Sequence, residues 1–137
     1  MTRRLIEVFF YGLFMDVALL RSQAVVPMQA RHAFVEGFTL RIGERATLIP
    51  MVGARAYGML MALTHRDIAQ LYAAPGLQHY LPEAVLAHTM EGQAVPALCY
   101  NLVEPPSASE RNPVYAAQLK AVLQELAFPA EYVASIQ

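Results

Sequence analysis

Apolar residues alternate with polar ones, or run together in short blocks, over most of the chain up to Val103, so strands dominate the reading. Leu5 to Tyr11, broken only by Glu7, predicts a first core strand. Asp16 opens a short helix-compatible stretch, DVALLRSQ, which Pro27 limits. Met28 to Ile42 suits a strand, with Phe34, Phe38 and Leu40 at even steps and a bend or bulge at Gly37. Ala46 to Ile49 and Ala56 to Leu63 are two further apolar runs. The intervening PMVGAR, with Pro50 and Gly53, reads as a turn between antiparallel partners.

The period then changes. Thr64 precedes HRDIAQLY with Asp67 three positions on, a partial capping box for a helix that stops at Pro75-Gly76. Tyr80 to Met90 and Ala94 to Val103 predict a hairpin about Glu91-Gly92-Gln93. After the polar, proline-rich EPPSASERNP, Asn112 as N-cap and Pro113 at the first helical position open the strongest helix. Its apolar stripe carries Tyr115, Leu119, Val122 and Leu126. PAEYVASI reads as a short terminal helix. The sum is an α+β fold in one domain over residues 1–137: a small, mostly antiparallel, barrel-like sheet with flanking helices.

Composition narrows the function. A formal charge of −1 with scattered basic residues gives no footprint for nucleic acid or an anionic membrane surface. Nine of the ten basic residues are Arg, with Lys120 the one lysine, which reads as compositional bias. Cys99 is alone, so no internal disulfide forms, and a reducing cytoplasm is the expected location. MTRRLIEVFFYGLFM mimics a secretory leader, but Glu7 and Asp16 interrupt or flank its apolar run, and the run reads as the first strand. Mean hydropathy of +0.34 with 15% charged residues leaves sparse polar cover and room for a homodimer through a sheet edge or the Tyr115 helix.

Several chemistries lack their residues. His32, His65, His79 and His88 have no metal-ligand spacing and Cys99 has no CxxC partner, so neither a metal nor any other cofactor is expected. There is no GxGxxG, no GK[ST] phosphate loop and no G-x-S-x-G elbow. Cys99, among apolar neighbours in ALCYNL, reads as a buried, inert thiol. Carboxylates are the remaining candidates. Glu83 shares a strand face with Leu81 and Val85: turned inward it would be a general base, and beside Pro82 at a sheet rim it would stand in water. Tyr11, Tyr80, Tyr100 and Tyr115 offer hydroxyls for a pocket.

Three segments together, VFFYGLFMD, RIGERATLIPMVGARAYGMLMAL and NPVYAAQLKAVLQELAFPAEYVASI, resemble γ-glutamylcyclotransferase-like (AIG2-like) proteins in order and spacing. The resemblance implies a small antiparallel barrel with a cavity at the end of the first strand. It matches Tyr11, Gly12, Leu13 and Phe14 to the family's Tyr-Gly-(Ser/Thr)-(Asn/Leu) stretch, whose backbone amides hold the substrate carboxylate; Gly12 would permit the turn that aims them. Tyr80 would line the cavity.

The family's reaction is cyclisation: the α-amine of a γ-glutamyl group attacks its own γ-carbonyl, releasing an amine or peptide and 5-oxoproline. A glutamate in a Leu-Asp-x-x-Glu-Gly pattern carries the proton. Aligned on Leu71 and Gly76, this chain has Tyr72 for the aspartate and Pro75 for the glutamate, and proline exchanges no proton. The expectation is a γ-glutamylcyclotransferase-like protein with a cavity for a small carboxylate-bearing ligand, such as a γ-glutamyl compound, and doubtful standard activity. The alternatives are an active transferase using Glu83 as a relocated carboxylate, or a non-enzymatic, self-associating binding module.

Overall fold

The structure, a computed structural model, describes residues 4–137, so Arg3 of the leader-like start lies outside the described residues. Strands β1 (Leu5–Phe10), β2 (Met28–Ile42), β3 (Ala46–Thr64), β4 (Tyr80–Thr89) and β5 (Ala94–Leu102) close into a barrel in the order β1-β3-β2-β4-β5. Neighbours are antiparallel except where β1 meets β5, whose parallel Val8–Leu98 pair completes the ring. Helices α1 (Val17–Ser22), α2 (His65–Tyr72), α3 (Pro113–Glu125) and α4 (Ala130–Ser135) occupy the connections and the C-terminal segment. None of the helices is long and apolar enough to cross a membrane.

The expected turn at PMVGAR is a correction. Ala46 to Thr64 is one continuous strand, and both of its halves pair with β2. In the register, Glu36 faces Arg55 and Phe38 faces Pro50, so Gly37 alone stands opposite Met51, Val52, Gly53 and Ala54. The extra residues leave the ladder as a large bulge, with Gly53 at φ +81° in the left-handed region where a side chain is strained. Proline and glycine suit a bulge as well as a reversal. The reversal itself lies earlier, between Ile42 and Ala46, where the Gly43 amide donates to the Arg45 carbonyl at 3.0 Å.

Side-chain caps start the helices where the sequence placed them. The Thr64 hydroxyl accepts from the Asp67 amide at 3.2 Å, and the Asn112 carboxamide accepts from the Tyr115 amide at 3.1 Å. Asn112 Nδ2 also donates to the Gly43 carbonyl at 3.0 Å, fastening the start of α3 to the β2–β3 turn. The face α3 buries is centred on Ala116, Leu119 and Leu123, while Tyr115, Val122 and Leu126 are only partly buried, so the expected stripe is rotated toward its edge. Val8 and Phe9 of β1, Leu60, Met61 and Leu63 of β3, Leu20 of α1, Leu71 of α2 and Leu119 of α3 are fully buried. Each such side chain contributes about 1.5–3 kcal/mol of transfer free energy, which holds the helices on the barrel.

Candidate ligand cavity

β1 ends at Phe10, and the next residues build the wall of a cavity of about 230 Å³. Tyr11 is buried, and its hydroxyl donates to the Tyr100 carbonyl at 2.7 Å, tying the exit of β1 to β5. Gly12 leads into a 3-10 turn, Leu13–Met15, closed by the Met15 amide on the Gly12 carbonyl and the Asp16 amide on the Leu13 carbonyl, each at 3.0 Å. A turn of this kind leaves its leading amides, here those of Leu13 and Phe14, without a partner inside it, and the Leu13 amide faces the Tyr115 hydroxyl instead. Asp16 then caps α1 by accepting from the Ala18 amide at 3.0 Å.

The reason for glycine at position 12 differs from the expected one. Its φ of −114° is open to any residue, so no special backbone conformation is required. Space is the constraint: a Cβ on Gly12 would lie 2.6 Å from the Tyr115 hydroxyl oxygen, inside van der Waals contact. The turn is held from both sides by apolar anchors. Met15 is fully buried, and Phe14 meets Phe10 and Tyr72 edge-on, with centroids 5.9 Å and 5.8 Å away.

The remaining walls are aromatic. Tyr72, at the end of α2, stacks on Tyr100 of β5 at 4.2 Å and 17°, and lies 6.0 Å from the ring of Tyr80. Tyr80, at the start of β4, donates its hydroxyl proton to the Ala46 carbonyl at 2.5 Å. Tyr115 of α3 completes the ring of phenols. Of the expected site residues, Tyr11, Gly12, Leu13, Phe14 and Tyr80 all line this one cavity. Tyr72 was the residue the sequence did not offer as a wall. Its position four residues after Ile68 and one after Leu71, on a helix whose Ile68 and Leu71 are buried, was the available signal.

Pro75 and Glu83 stand apart from it. Pro75 is exposed in the turn after α2 and does not line the cavity, which instead receives Tyr72 and Leu77 from either side. Glu83 is exposed too. One carboxylate oxygen accepts from Asn101 Nδ2 at 2.6 Å, while Asn101 Oδ1 accepts from the Leu48 amide at 3.3 Å and lies 3.7 Å from the Cys99 thiol. Glu83 therefore serves the buried Asn101 on the adjacent strand and does not reach the Tyr11–Phe14 turn.

Electrostatics follow from the walls. Burial raises the Tyr11 and Tyr72 phenols well above their ordinary value, and the Cys99 thiol beside both raises them further. Burial also raises Tyr80 and Tyr115; for Tyr80 the nearby Arg45 guanidinium pulls the other way. The Cys99 thiol is pushed up by burial and by the Glu83 carboxylate. No Asp, Glu, His or Lys lines the cavity among the described residues. Near neutral pH the pocket therefore holds uncharged phenols that donate and accept hydrogen bonds but do not take a proton from an ammonium group.

The closed five-stranded barrel has the fold of solved gamma-glutamyl cyclotransferase structures. The structure matches a gamma-glutamyl cyclotransferase with a TM-score of 0.80 at 18% identity, covering 98% of this chain and 89% of that one. It matches the uncharacterized protein loc79017 from Homo sapiens at 0.75 and 20% identity, over 97% and 88% of the two chains. An AIG2-like protein from Mus musculus matches at 0.57 and 16% identity, over 82% and 83%. No family model and no curated protein matches the sequence. Likeness at this level of identity establishes the fold, and the expected architecture is correct.

Proposed function

We propose that this chain is a member of the γ-glutamylcyclotransferase-like family that binds a small carboxylate-bearing metabolite, such as a γ-glutamyl compound, without carrying out the family's cyclisation. The observation that carries the reading is the cavity beside Gly12, walled by phenols and empty of ionisable carboxyl groups among the described residues. Its volume of about 230 Å³ is on the scale of a small metabolite. A carboxylate would find the Phe14 amide at one end, beside a Leu13 amide that already faces the Tyr115 hydroxyl, and aromatic faces along its hydrocarbon.

Cyclisation asks more of the site. The attacking amine must lose a proton and the leaving nitrogen must gain one, and phenols raised above 10.0 do neither efficiently at neutral pH. Without a positioned acid–base group the rate falls by about 10²–10⁴-fold. Glu83 would have to leave Asn101 and cross into the cavity to replace it. The test is to incubate the protein with γ-glutamyl dipeptides and γ-glutamyl amines while following 5-oxoproline by chromatography and amide shifts by NMR. Binding shifts at Tyr11 to Phe14 with 5-oxoproline release at the buffer rate are expected. Catalysis that vanishes in Glu83→Gln would overturn the reading in favour of the relocated base.

A further inference from the structure

Among the described residues, the guanidinium of Arg45 comes near this cavity without lining it. Arg45 follows the β2–β3 turn, next to Ala46, whose carbonyl accepts the Tyr80 hydroxyl and which itself lines the cavity. Its side chain crosses to the turn after α2 and packs on Gly76: a Cβ there would overlap the guanidinium Nη2. Gly76 has φ +84°, so glycine is demanded by both backbone and space, and the guanidinium lies over bare main chain. Arg45 is half-buried, yet among the described residues it forms no salt bridge. Its charge is felt at the Tyr80 phenol inside the cavity.

Arg45 also lines a second, open groove of about 750 Å³, with Gln78, His79 and Leu81 beside it. The chain alternates between the two spaces: Ala46, Leu77 and Tyr80 face the cavity while Arg45, Gln78 and Leu81 face the groove. Arg45 thus lines the groove, one residue away in sequence from the cavity wall at Ala46. Glu44, Glu104 and Glu110 occupy the same groove without pairing to it, and they make that arm unfavourable for an anion beyond the guanidinium. An anionic group is welcome at the Arg45 end alone. A half-buried guanidinium with its donors uncommitted and its position fixed by a glycine is suited to a carboxylate, which it binds in bidentate fashion.

We propose that Arg45 recognises a second acidic group, so that the metabolite bound here is a diacid: one carboxylate at the Tyr11–Phe14 turn, the carbon chain against the phenols, and the other carboxylate on Arg45. This rests on the cavity reading above and deepens it. It also gives the turn after α2 a new use. The segment that the family resemblance assigns to a proton-carrying carboxylate here supports a fixed positive charge, which selects for an anion where the reaction would need a base.

The experiment compares glutarate with glutaramate, its near-isosteric monoamide, by NMR titration of the wild-type chain and of Arg45→Gln. Wild type is expected to bind glutarate about tenfold more tightly, the effect of one charge-assisted contact in a partly exposed site. Arg45→Gln is expected to bind both compounds as wild type binds glutaramate, and Arg45→Lys to recover part of the preference. Unshifted resonances of the fully buried Leu60 and Leu119 in the variants verify that the barrel and α3 are intact. Equal affinity of the two compounds for wild type, or a preference that survives in Arg45→Gln, overturns the diacid assignment and leaves the cavity reading standing. If neither compound moves the Tyr11 to Phe14 amides, the cavity reading falls and takes this inference with it.

Discussion

Replacing Gly12 by alanine probes the contact on which the cavity wall is built. The added Cβ would meet the Tyr115 oxygen at 2.6 Å, whereas the next atom of that ring, Cζ, lies 3.9 Å away in ordinary contact. Tyr115 is held by the first turn of α3, whose cap is pinned to Asn112, so the ring cannot swing aside without moving the helix start. Such overpacking costs about 1–3 kcal/mol. The backbone pulls in the opposite direction. At φ −114° alanine is unstrained, and the loss of freedom in the unfolded chain stabilises by about 0.4–1 kcal/mol. Gly12→Ala is therefore expected to destabilise by up to about 2.6 kcal/mol in wild type. In a Tyr115→Phe background the obstructing oxygen is gone, and the same substitution is expected to be neutral or stabilising. Urea denaturation of the four proteins in a double-mutant cycle measures the coupling, expected at about 1–3 kcal/mol with unchanged m-values. For 137 residues this is a thermal shift of roughly 3–5 °C per kcal/mol. Additive effects of the two substitutions would show that Gly12 is not there to make room for Tyr115.

Two further predictions follow from the cap and the phenols. Asn112→Ala removes both the bond from the Tyr115 amide and the bond to the Gly43 carbonyl, so a loss of about 1–2 kcal/mol in chemical denaturation is expected, with Asn112→Asp recovering the cap but not the tie to Gly43. The buried tyrosines and Cys99 keep their protons in the native state to higher pH than in the unfolded chain, where the ordinary values are 10.0 and 9.0. The unfolded state then holds fewer protons, so stability is flat below those values and falls as pH rises through them. Denaturation midpoints from about pH 8 to about pH 11, read beside phenolate absorbance, would contradict this if stability rose or if every tyrosine of the folded chain titrated near 10.

What the sequence made legible was local. The cap at Asn112-Pro113, the hairpin at Glu91 to Gln93 and the bend at Gly37 are each signalled within a few residues by the groups that form them, and all three are present. PMVGAR failed for a physical reason: the same proline and glycine serve a reversal or a bulge, and only the partner strand, which lies on β2 for both halves, separates them. Alternation placed Glu83 with Leu81 and Val85 correctly, but burial changes along that face, from an exposed Leu81 to a buried Val85, and Glu83 falls on the wet side. Period cannot report where a strand leaves the core.

The cavity shows the same division more sharply. Tyr11 to Phe14 was readable because a glycine inside an apolar run is unusual wherever it occurs, yet the cause of that glycine is a hydroxyl arriving from α3. Tyr72 and Tyr100 stack across separate elements, and Arg45 rests on Gly76 from another turn of the chain; nothing near either residue in sequence announces its partner. These contacts exist because the barrel closes, with β1 joined to β5 at Val8 and Leu98, and the end of β1, the start of β4 and the end of α2 drawn together. Closure therefore does more than bury the core. It converts scattered aromatic residues, each unremarkable alone, into one wall of phenols whose Tyr11 and Tyr80 hydroxyls are tied to the carbonyls of β5 and β3, with one guanidinium nearby.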